Sequence, residues 1–445
     1  MKERTQRGGV EETLEGVRRA LDRGLLSNRI FSDPEIFELE LSRLFTRTWL
    51  FVGHESEIKN PGDYVVRRIV RDSVIFVRGR DGESRVLLNA CRHRGMMVCR
   101  NERGNAASFR CPYHGWVYGN MGELLGVPGM KEGYGDALDR TEWSLIPVPR
   151  VERYHGLVFA CLDPDAGPLE EYLGQMKWYL DISTGRSEAG LEVIGGPRRW
   201  EINANWKWPA DNFVGDSYHT GYVHDAVAEI GLLPQKSDVP FWSISVSLEN
   251  GHGAWLNGAE PGVSLLHLRN YPDSLIQSMR RNLLPAQVGV LERAPYFGGN
   301  VFPNLGVMDV AEACEAGKPS VGRLAIRVWQ PISVDRTEIC SWFLVEKDAP
   351  QEFKEASYQV YMRNFGPAGS FEQDDLEVWC RANQTAKGQL GRNLLQNISL
   401  GMGREESDRT FPGPGKVVEG LFCESNHRAF YRTWLRYLSE GPQGQ

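Results

Sequence analysis

Cys91-Arg-His93 and Cys111-Pro-Tyr-His114, separated by seventeen residues, decide the reading of this chain. Each short loop offers one thiolate and one imidazole, and each follows a run of strand character, Arg85-Val-Leu-Leu-Asn-Ala90 and Ala107-Ser-Phe-Arg110. Two strand-borne loops of this kind can converge so that two Cys hold one iron of a [2Fe–2S] cluster and two His hold the other. Replacing thiolates by imidazoles raises the reduction potential well above that of an all-cysteine cluster, so the site can take an electron from a low-potential donor and pass it on. The competing assignment is a Cys2His2 zinc site. Zinc fingers pair Cys with Cys and His with His, the two His on a helix; here each loop mixes the types, which favours iron and sulfide. Gly95 and Gly115-Trp116 suit tight turns around a cluster, with Tyr113 or Trp116 expected to cover it.

The chain has 445 residues, enough for about three domains or two larger ones. It is 41% hydrophobic, without a low-complexity or disordered-type tract or internal repeat, and can bury sizeable cores. A net charge of −7 argues against a nucleic-acid partner. The N-terminal Met-Lys-Glu-Arg-Thr-Gln-Arg-Gly-Gly lacks the apolar stretch of a signal peptide, and apolar runs such as Gly156–Leu162 are too short to span a bilayer. Eight cysteines over this length do not make a disulfide scaffold, and a cluster built on two of them points to a reducing cytoplasm. Cys99, Cys161, Cys314, Cys340, Cys380 and Cys423 are expected to be small buried hydrophobes.

Ser32-Asp33-Pro34 predicts a capped helix start, followed by Phe37, Leu41, Leu44 and Phe45 at helical spacing. From about Tyr64 to Leu162 the chain reads as strands, among them Asp63-Tyr-Val-Val66 and Ser73–Arg78, the size of one small all-β domain. Leu324–Trp329 and Glu338–Val345 flank Asp335-Arg336 as an antiparallel hairpin. Helical patterns over 350–364 and 371–386 meet at the breaker Gly366-Pro-Ala-Gly369. Strands followed by helices, rather than alternating, predict an α+β arrangement for this part.

A second metal site is written in Asp211-Asn-Phe-Val-Gly-Asp-Ser-Tyr-His-Thr-Gly-Tyr-Val-His224. On a continuous helix Asn212, Asp216 and His219 share a face, while His224 is rotated from His219 by roughly 140°. Both imidazoles reach one metal only if the helix ends or bulges between them, and Gly221 is placed to allow it. A carboxylate would complete a two-histidine, one-carboxylate triad, the Fe(II) arrangement with open positions for O2. Phe371-Glu-Gln-Asp-Asp375 is the best source, and Asp375 is chosen over Asp374 because it shares its helix face with Phe371, Val378 and Trp379. The other five of the nine histidines, His54, His155, His252, His267 and His427, have no comparable spacing and are expected to be structural.

Together these residues resemble the large (α) subunit of the Rieske non-haem iron aromatic-ring-hydroxylating dioxygenases, of the naphthalene and biphenyl type. The resemblance extends over Phe45–Val52, Pro61-Gly-Asp-Tyr64, both cluster loops, Asn212–His219 and Asn364–Gly369. It implies an all-β Rieske domain (47–166) inserted into an α+β catalytic domain (167–445) with a large antiparallel sheet and helices, residues 1–46 packing with the latter. It implies Cys91, His93, Cys111 and His114 as cluster ligands, and His219, His224 and Asp375 as ligands of a mononuclear Fe(II). Asp216 matches the carboxylate that links a cluster histidine of one subunit to an iron histidine of its neighbour, which implies a homotrimer of α subunits (α3 or α3β3) with His114 facing Asp216 of the next chain. A small β subunit, a ferredoxin and an NAD(P)H-dependent reductase are the implied partners. The implied reaction adds both atoms of O2 to an aromatic hydrocarbon, polycyclic or substituted, giving a cis-dihydrodiol; hydroxylation of an aromatic carboxylate such as salicylate or phthalate is the alternative.

By the same resemblance the substrate is lined by Asn212, Phe213, Ser217, Thr220, Tyr296, Gly298, Phe365 and Phe371, half of them aromatic, as suits an arene held by packing. Ala-Pro-Tyr296-Phe-Gly-Gly departs from the naphthalene-type pattern, which has His and Asn at the corresponding positions, and Gly298 and Gly299 are expected to widen the pocket. Arg293 and Arg392 stand near enough in sequence to serve as a carboxylate clamp. Arg92, Arg94, Arg100, Arg103 and Arg110 offer either a solvated face or an attraction for an acidic ferredoxin.

Overall fold

A computed structural model describes residues 2–135, 137–233, 242–403, 405 and 410–440, with the backbone alone for 2–8. The chain forms two compact units: Thr46–Leu169, and Met1–Phe45 together with Glu170–Gln445.

The unit Thr46–Leu169 is built of short antiparallel strands. One sheet runs, in order, through β1 (Ser84–Leu88), Asp72–Arg78, Asp63–Ile69 and Arg103–Asn105. A second holds β2 (Ser108–Arg110), β3 (Val117–Gly119) and Leu124–Gly126, and a third Arg150–Tyr154, Leu157–Cys161 and Leu50–His54. Between the first two sheets Tyr64, Ile75, Val77, Leu87, Phe109, Trp116, Tyr118 and Leu124 are buried around Cys91 and Cys111. Each such large side chain contributes about 1.5–3 kcal/mol by leaving water, so the loops that follow β1 and β2 rise from a rigid base. The unit reaches past residue 166 because Trp49 Nε1 donates to Gly167 O (3.1 Å) and Leu169 N to Glu152 Oε2 (2.9 Å).

The larger unit carries a nine-stranded antiparallel sheet among its described residues. Its central strands are β4 (Gly253–Gly258), β5 (Tyr296–Val301), β6 (Leu305–Glu312), β7 (Val321–Ser333) and β8 (Arg336–Glu346), each paired with the next. The hairpin expected around Asp335-Arg336 is the β7–β8 turn, and both strands extend beyond the apolar runs that announced them. Helix α1 (Lys207–Gly215) lies on the sheet, and the chain then makes the single turn α2 (Thr220–Val223). Near the C-terminal end come α3 (Gln351–Phe365) and α4 (Ser370–Lys387), broken at Gly366–Gly369 as the sequence predicts, and α5 (Ser425–Ser439).

Helix α1 approaches the sheet at glycines. A Cβ on Gly253 would lie 2.6 Å from Val214 Cγ2, and one on Gly306 would lie 2.7 Å from Phe213 Cδ1, so larger residues there would push the helix off. By the two-residue period of strands, Trp255 shares the face of Gly253, Gly298 that of Trp255, and Met308 that of Gly306; this is the face toward α1.

The N-terminal expectation holds at Asp33, whose Oδ1 accepts from Glu35 N (2.9 Å) with Pro34 opening the helix. The regular helix stops at Leu39, however, and a wider π turn over Glu40–Leu44 carries the chain on. The widening turns Glu40 inward, where Trp206 Nε1 and Trp434 Nε1 each donate to it (2.8 Å) and Lys207 Nζ pairs with it (2.5 Å). A buried carboxylate is tolerable only when paired and fully hydrogen-bonded in this way. Among the described residues no helix is long and apolar enough to cross a membrane.

Candidate functional site

In the smaller unit the four ligand candidates come together. Cys91 and Cys111 are buried free thiols, and the His93 and His114 rings lie 4.5 Å apart, centroid to centroid. Backbone bonds from Gly95 N to Cys91 O (2.8 Å) and from Gly115 N to Cys111 O (3.0 Å) close both loops, with Gly95 and Gly115 at positive φ as tight turns require. Burial, with the neighbouring Cys91 sulfur, pushes the Cys111 thiol up. His93 Nδ1 is buried without a hydrogen-bond partner. Two thiols crowded in an apolar core and an orphaned imidazole nitrogen are costly unless metal takes them up, so this donor set fits a [2Fe–2S] cluster. Trp116 stacks flat on His93 (5.1 Å, 5°), whereas Tyr113 leans on His114 (3.8 Å) and stays half exposed. Tyr118, unremarked in the sequence, lies beneath: its hydroxyl is 3.3 Å from Cys91 Sγ and accepts from Arg92 N at 3.0 Å.

In the larger unit His219, His224 and Asp375 can each offer one ligand atom, all within 4.8 Å of one another. The expected break between the two histidines is present, not at Gly221 but at the end of α2, where His224 leaves helical geometry (φ −102, ψ 21). Helix α1 ends at Gly215, Asp216 leaves helical geometry (φ −85, ψ 60), and Gly221 sits inside α2. The α2 turn then places His219 immediately before it and His224 immediately after. Asp216 stabilises this turn by accepting from His219 N at Oδ1 (3.2 Å), as capping side chains do.

Both imidazoles present Nε2 to one oxygen: Asp375 Oδ1 lies 3.5 Å from His219 Nε2 and 3.4 Å from His224 Nε2. Their Nδ1 atoms are held from behind. His219 Nδ1 faces the Asp216 carbonyl and, at 3.5 Å, its carboxylate; His224 Nδ1 is 3.3 Å from Asp374 Oδ2. Asp374, set aside in the sequence for facing away, thus supports the second histidine, because His224 approaches from the side of α4. Fixing the far nitrogen is how proteins set the tautomer and aim of a metal-binding histidine.

Burial opposes ionisation of Asp375, yet bonds from His219 and His224 outweigh it and hold the carboxyl far below the usual range. Burial would likewise lower His219, but Asp216 and Asp375 raise it well above its ordinary value. The pocket therefore demands a positive charge, and the two-imidazole, one-carboxylate set fits a divalent iron in that place.

Around this triad Asn212 Nδ2 lies 3.4 Å from both nitrogens of His219. Phe371 meets His224 edge-on (5.0 Å), Phe365 stacks beyond it (5.9 Å), and Phe213 packs edge-on against Trp329 (4.7 Å). Ser217 Oγ is buried without a partner, Thr220 is half-buried on α2, and Tyr296 stands on β5 with its hydroxyl raised by burial. Gly298 does not widen the site. Trp255, its cross-strand partner, lays its indole where a side chain at 298 would go, and Gly299 meets Gly253 O. Arg293 lies over Trp242 (3.8 Å) and Arg392 on the turn Gly391–Asn393. His252 is structural, as expected: its Nδ1 accepts from Phe302 N (2.9 Å).

Residues 48–152 match the Rieske [2Fe–2S] domain, and residues 169–440 match the catalytic domain of the ring-hydroxylating alpha subunits. The chain belongs to the Rieske-type ring-hydroxylating oxygenase alpha subunits, oxidoreductases that incorporate O2 using a [2Fe–2S] cluster and a mononuclear non-haem iron. It is 36% identical over 441 residues to the alpha subunit of an N,N-dimethyl phenylurea N-demethylase from Sphingobium sp. (strain YBL2), covering 98% of this chain and 96% of that one. It is 35% identical over 444 residues to the biphenyl dioxygenase alpha subunit of Paraburkholderia xenovorans (96% and 94%). Among solved structures, naphthalene 1,2-dioxygenase from Rhodococcus sp. bound to indole superposes with a TM-score of 0.92 at 42% identity, covering 96% of this chain and 99% of that one.

Proposed function

We propose that this chain is the oxygenase component of a multicomponent system that adds both atoms of O2 to a neutral aromatic ring, yielding a cis-dihydrodiol. The observation that carries the reading is the convergence of His219, His224 and Asp375 in a chain that also bears the Cys91, His93, Cys111 and His114 loops. The proposed ligands are those four residues for the cluster and His219, His224 and Asp375 for the iron. When bound, the cluster supplies single electrons and the Fe(II) activates O2. The net change consumes arene, O2, two electrons and two protons.

The chain's own residues orient the groups and exclude water. Asp216 and Asp374 fix His219 and His224; Asp375 supplies the charge. Phe371 and Phe365 form an aromatic wall leading away from His224, against which a ring packs. Asn212, Phe213, Ser217, Thr220 and Tyr296 are the further proposed contacts. The nearby cations are neutralised: Arg323 pairs with Glu312 (2.9 Å) and Arg327 with Glu372 (2.5 Å), while both guanidinium groups stack on Phe365 (3.7 and 4.2 Å). That arrangement favours an uncharged substrate over an aromatic carboxylate.

A ferredoxin, an NAD(P)H-dependent reductase and a small β subunit are the proposed partners, in a cytoplasmic α3 or α3β3 assembly. There Asp216 of one chain would receive electrons through His114 of the next. Resemblance to the phenylurea N-demethylase alpha subunit favours one second reading, oxidative removal of an N-methyl group. Incubation with a reductase, a ferredoxin, naphthalene and N,N-dimethyl phenylurea separates them. A cis-diol from naphthalene supports the first reading; formaldehyde and a monomethyl urea without any diol would replace it by the second.

A further inference from the structure

The triad stands on two supports of different kinds. The histidines are braced by neighbouring carboxylates, but Asp375 depends on where α4 begins, and that is set by a buried group one turn earlier. Glu372, fully buried in the first turn of α4, accepts from Arg327 Nη1 (2.5 Å) and from Trp200 Nε1 (3.2 Å), one donor on each carboxylate oxygen. The second arm of the same guanidinium donates to Phe365 O (2.8 Å), the last residue of α3. Arg327, a wholly buried residue of the central strand β7, thus ties the end of α3 and the start of α4 to the sheet at once. Residues three apart on a helix share a face, so Asp375 stands directly above Glu372.

Glu372 is also a second carboxylate within electrostatic reach of Asp375, each disfavouring the charge of the other. Left loose, it would compete for the cation that Asp375 is to hold. We propose that Arg327 and Trp200 clamp Glu372 so that it positions Asp375 against His219 and His224 and is itself kept from the iron. Glu372 is then a positioning residue, and the proposal rests on Asp375 being the iron's carboxylate ligand.

The clamp needs two acceptor oxygens. Glu372→Gln leaves one, so either Trp200 or Arg327 faces an NH2 group, donor against donor, and the first turn of α4 must shift. Fe(II) affinity is to be measured by equilibrium dialysis on cluster-loaded protein for the wild type and three variants: Glu372→Gln, Asp375→Ala and Glu346→Gln. Glu346 is an equally buried acid paired with Arg186 (2.6 Å) on β8, so Glu346→Gln makes the same chemical change away from α4. Removing a residue that orients a ligand typically weakens metal binding about 10–100-fold, and a loss of at least about tenfold is expected for Glu372→Gln, with wild-type affinity in Glu346→Gln and an unchanged cluster spectrum in both. Wild-type affinity in Glu372→Gln, or an equal loss in Glu346→Gln, overturns the clamp. Wild-type affinity in Asp375→Ala instead overturns the ligand assignment beneath it. Should Glu372→Gln fail to fold, Trp200→Phe deletes one donor and keeps the charge pair: weaker Fe(II) binding supports the clamp, and undiminished binding overturns it.

Discussion

Tyr118→Phe removes one hydroxyl from a fully buried site and leaves the ring in place. In the native unit that hydroxyl accepts from Arg92 N and lies 3.3 Å from Cys91 Sγ; a thiolate holding the cluster has no proton to give, so the hydroxyl is the donor to the sulfur. Burial and the sulfur together hold the phenol well above its ordinary value, so it stays a donor. A hydrogen bond to a charged acceptor contributes about 1.5–3 kcal/mol. The bond exists in both redox states, and only its strengthening on the more negative, reduced cluster moves the potential. Taking that difference as about 1 kcal/mol, and 59 mV for each tenfold change in a one-electron couple, the potential should fall by about 40 mV. A redox titration followed by the cluster's absorption and EPR signals measures it, with Tyr113→Phe as control because Tyr113 leans on His114 and lies half in solvent. An unchanged potential in Tyr118→Phe, or an equal fall in Tyr113→Phe, refutes the assignment of the hydroxyl to the Cys91 sulfur.

Asp375→Ala should lose mononuclear iron and ring hydroxylation while the cluster spectrum survives; retained hydroxylation would mean another residue supplies the carboxylate. Asp216→Asn should keep both metals yet stop substrate-dependent reoxidation of the reduced cluster, and normal turnover would contradict the intersubunit bridge. Burial pushes Asp211 up to about 7, with His427 opposing and Asp216 and Glu424 adding to the rise. Its folded value lies above its unfolded one, so its contribution to stability is complete below about pH 4 and is lost as pH rises through about 7. Asp211→Asn, a neutral mimic, should therefore gain thermal stability relative to the wild type most at pH 8, less at pH 5 and not below about pH 4; a difference independent of pH would speak against the raised acid.

Both metal sites were legible because their residue types are rare in combination and their spacing is chemically restrictive. The hairpin at Asp335-Arg336 and the helices on either side of Gly366–Gly369 followed from local pattern alone. What escaped was set by tertiary packing. The break that lets His219 and His224 converge comes at His224, where the single turn α2 ends, and not at the glycine that seemed to offer freedom. Asp374 looked solvent-facing on its own helix because a helical wheel cannot show His224 arriving from the side. Gly298 suggested empty space, but the cross-strand Trp255 that fills it is more than forty residues away in sequence. The inward Glu40 was hidden by a π turn that helical spacing does not signal.

The central claim is that one chain holds two kinds of iron, and iron, zinc and acid-labile sulfide counts on anaerobically purified protein test it most directly. About three irons and about two sulfides per chain are expected from the two donor sets. Zinc in place of iron, without sulfide, would contradict the account at its root.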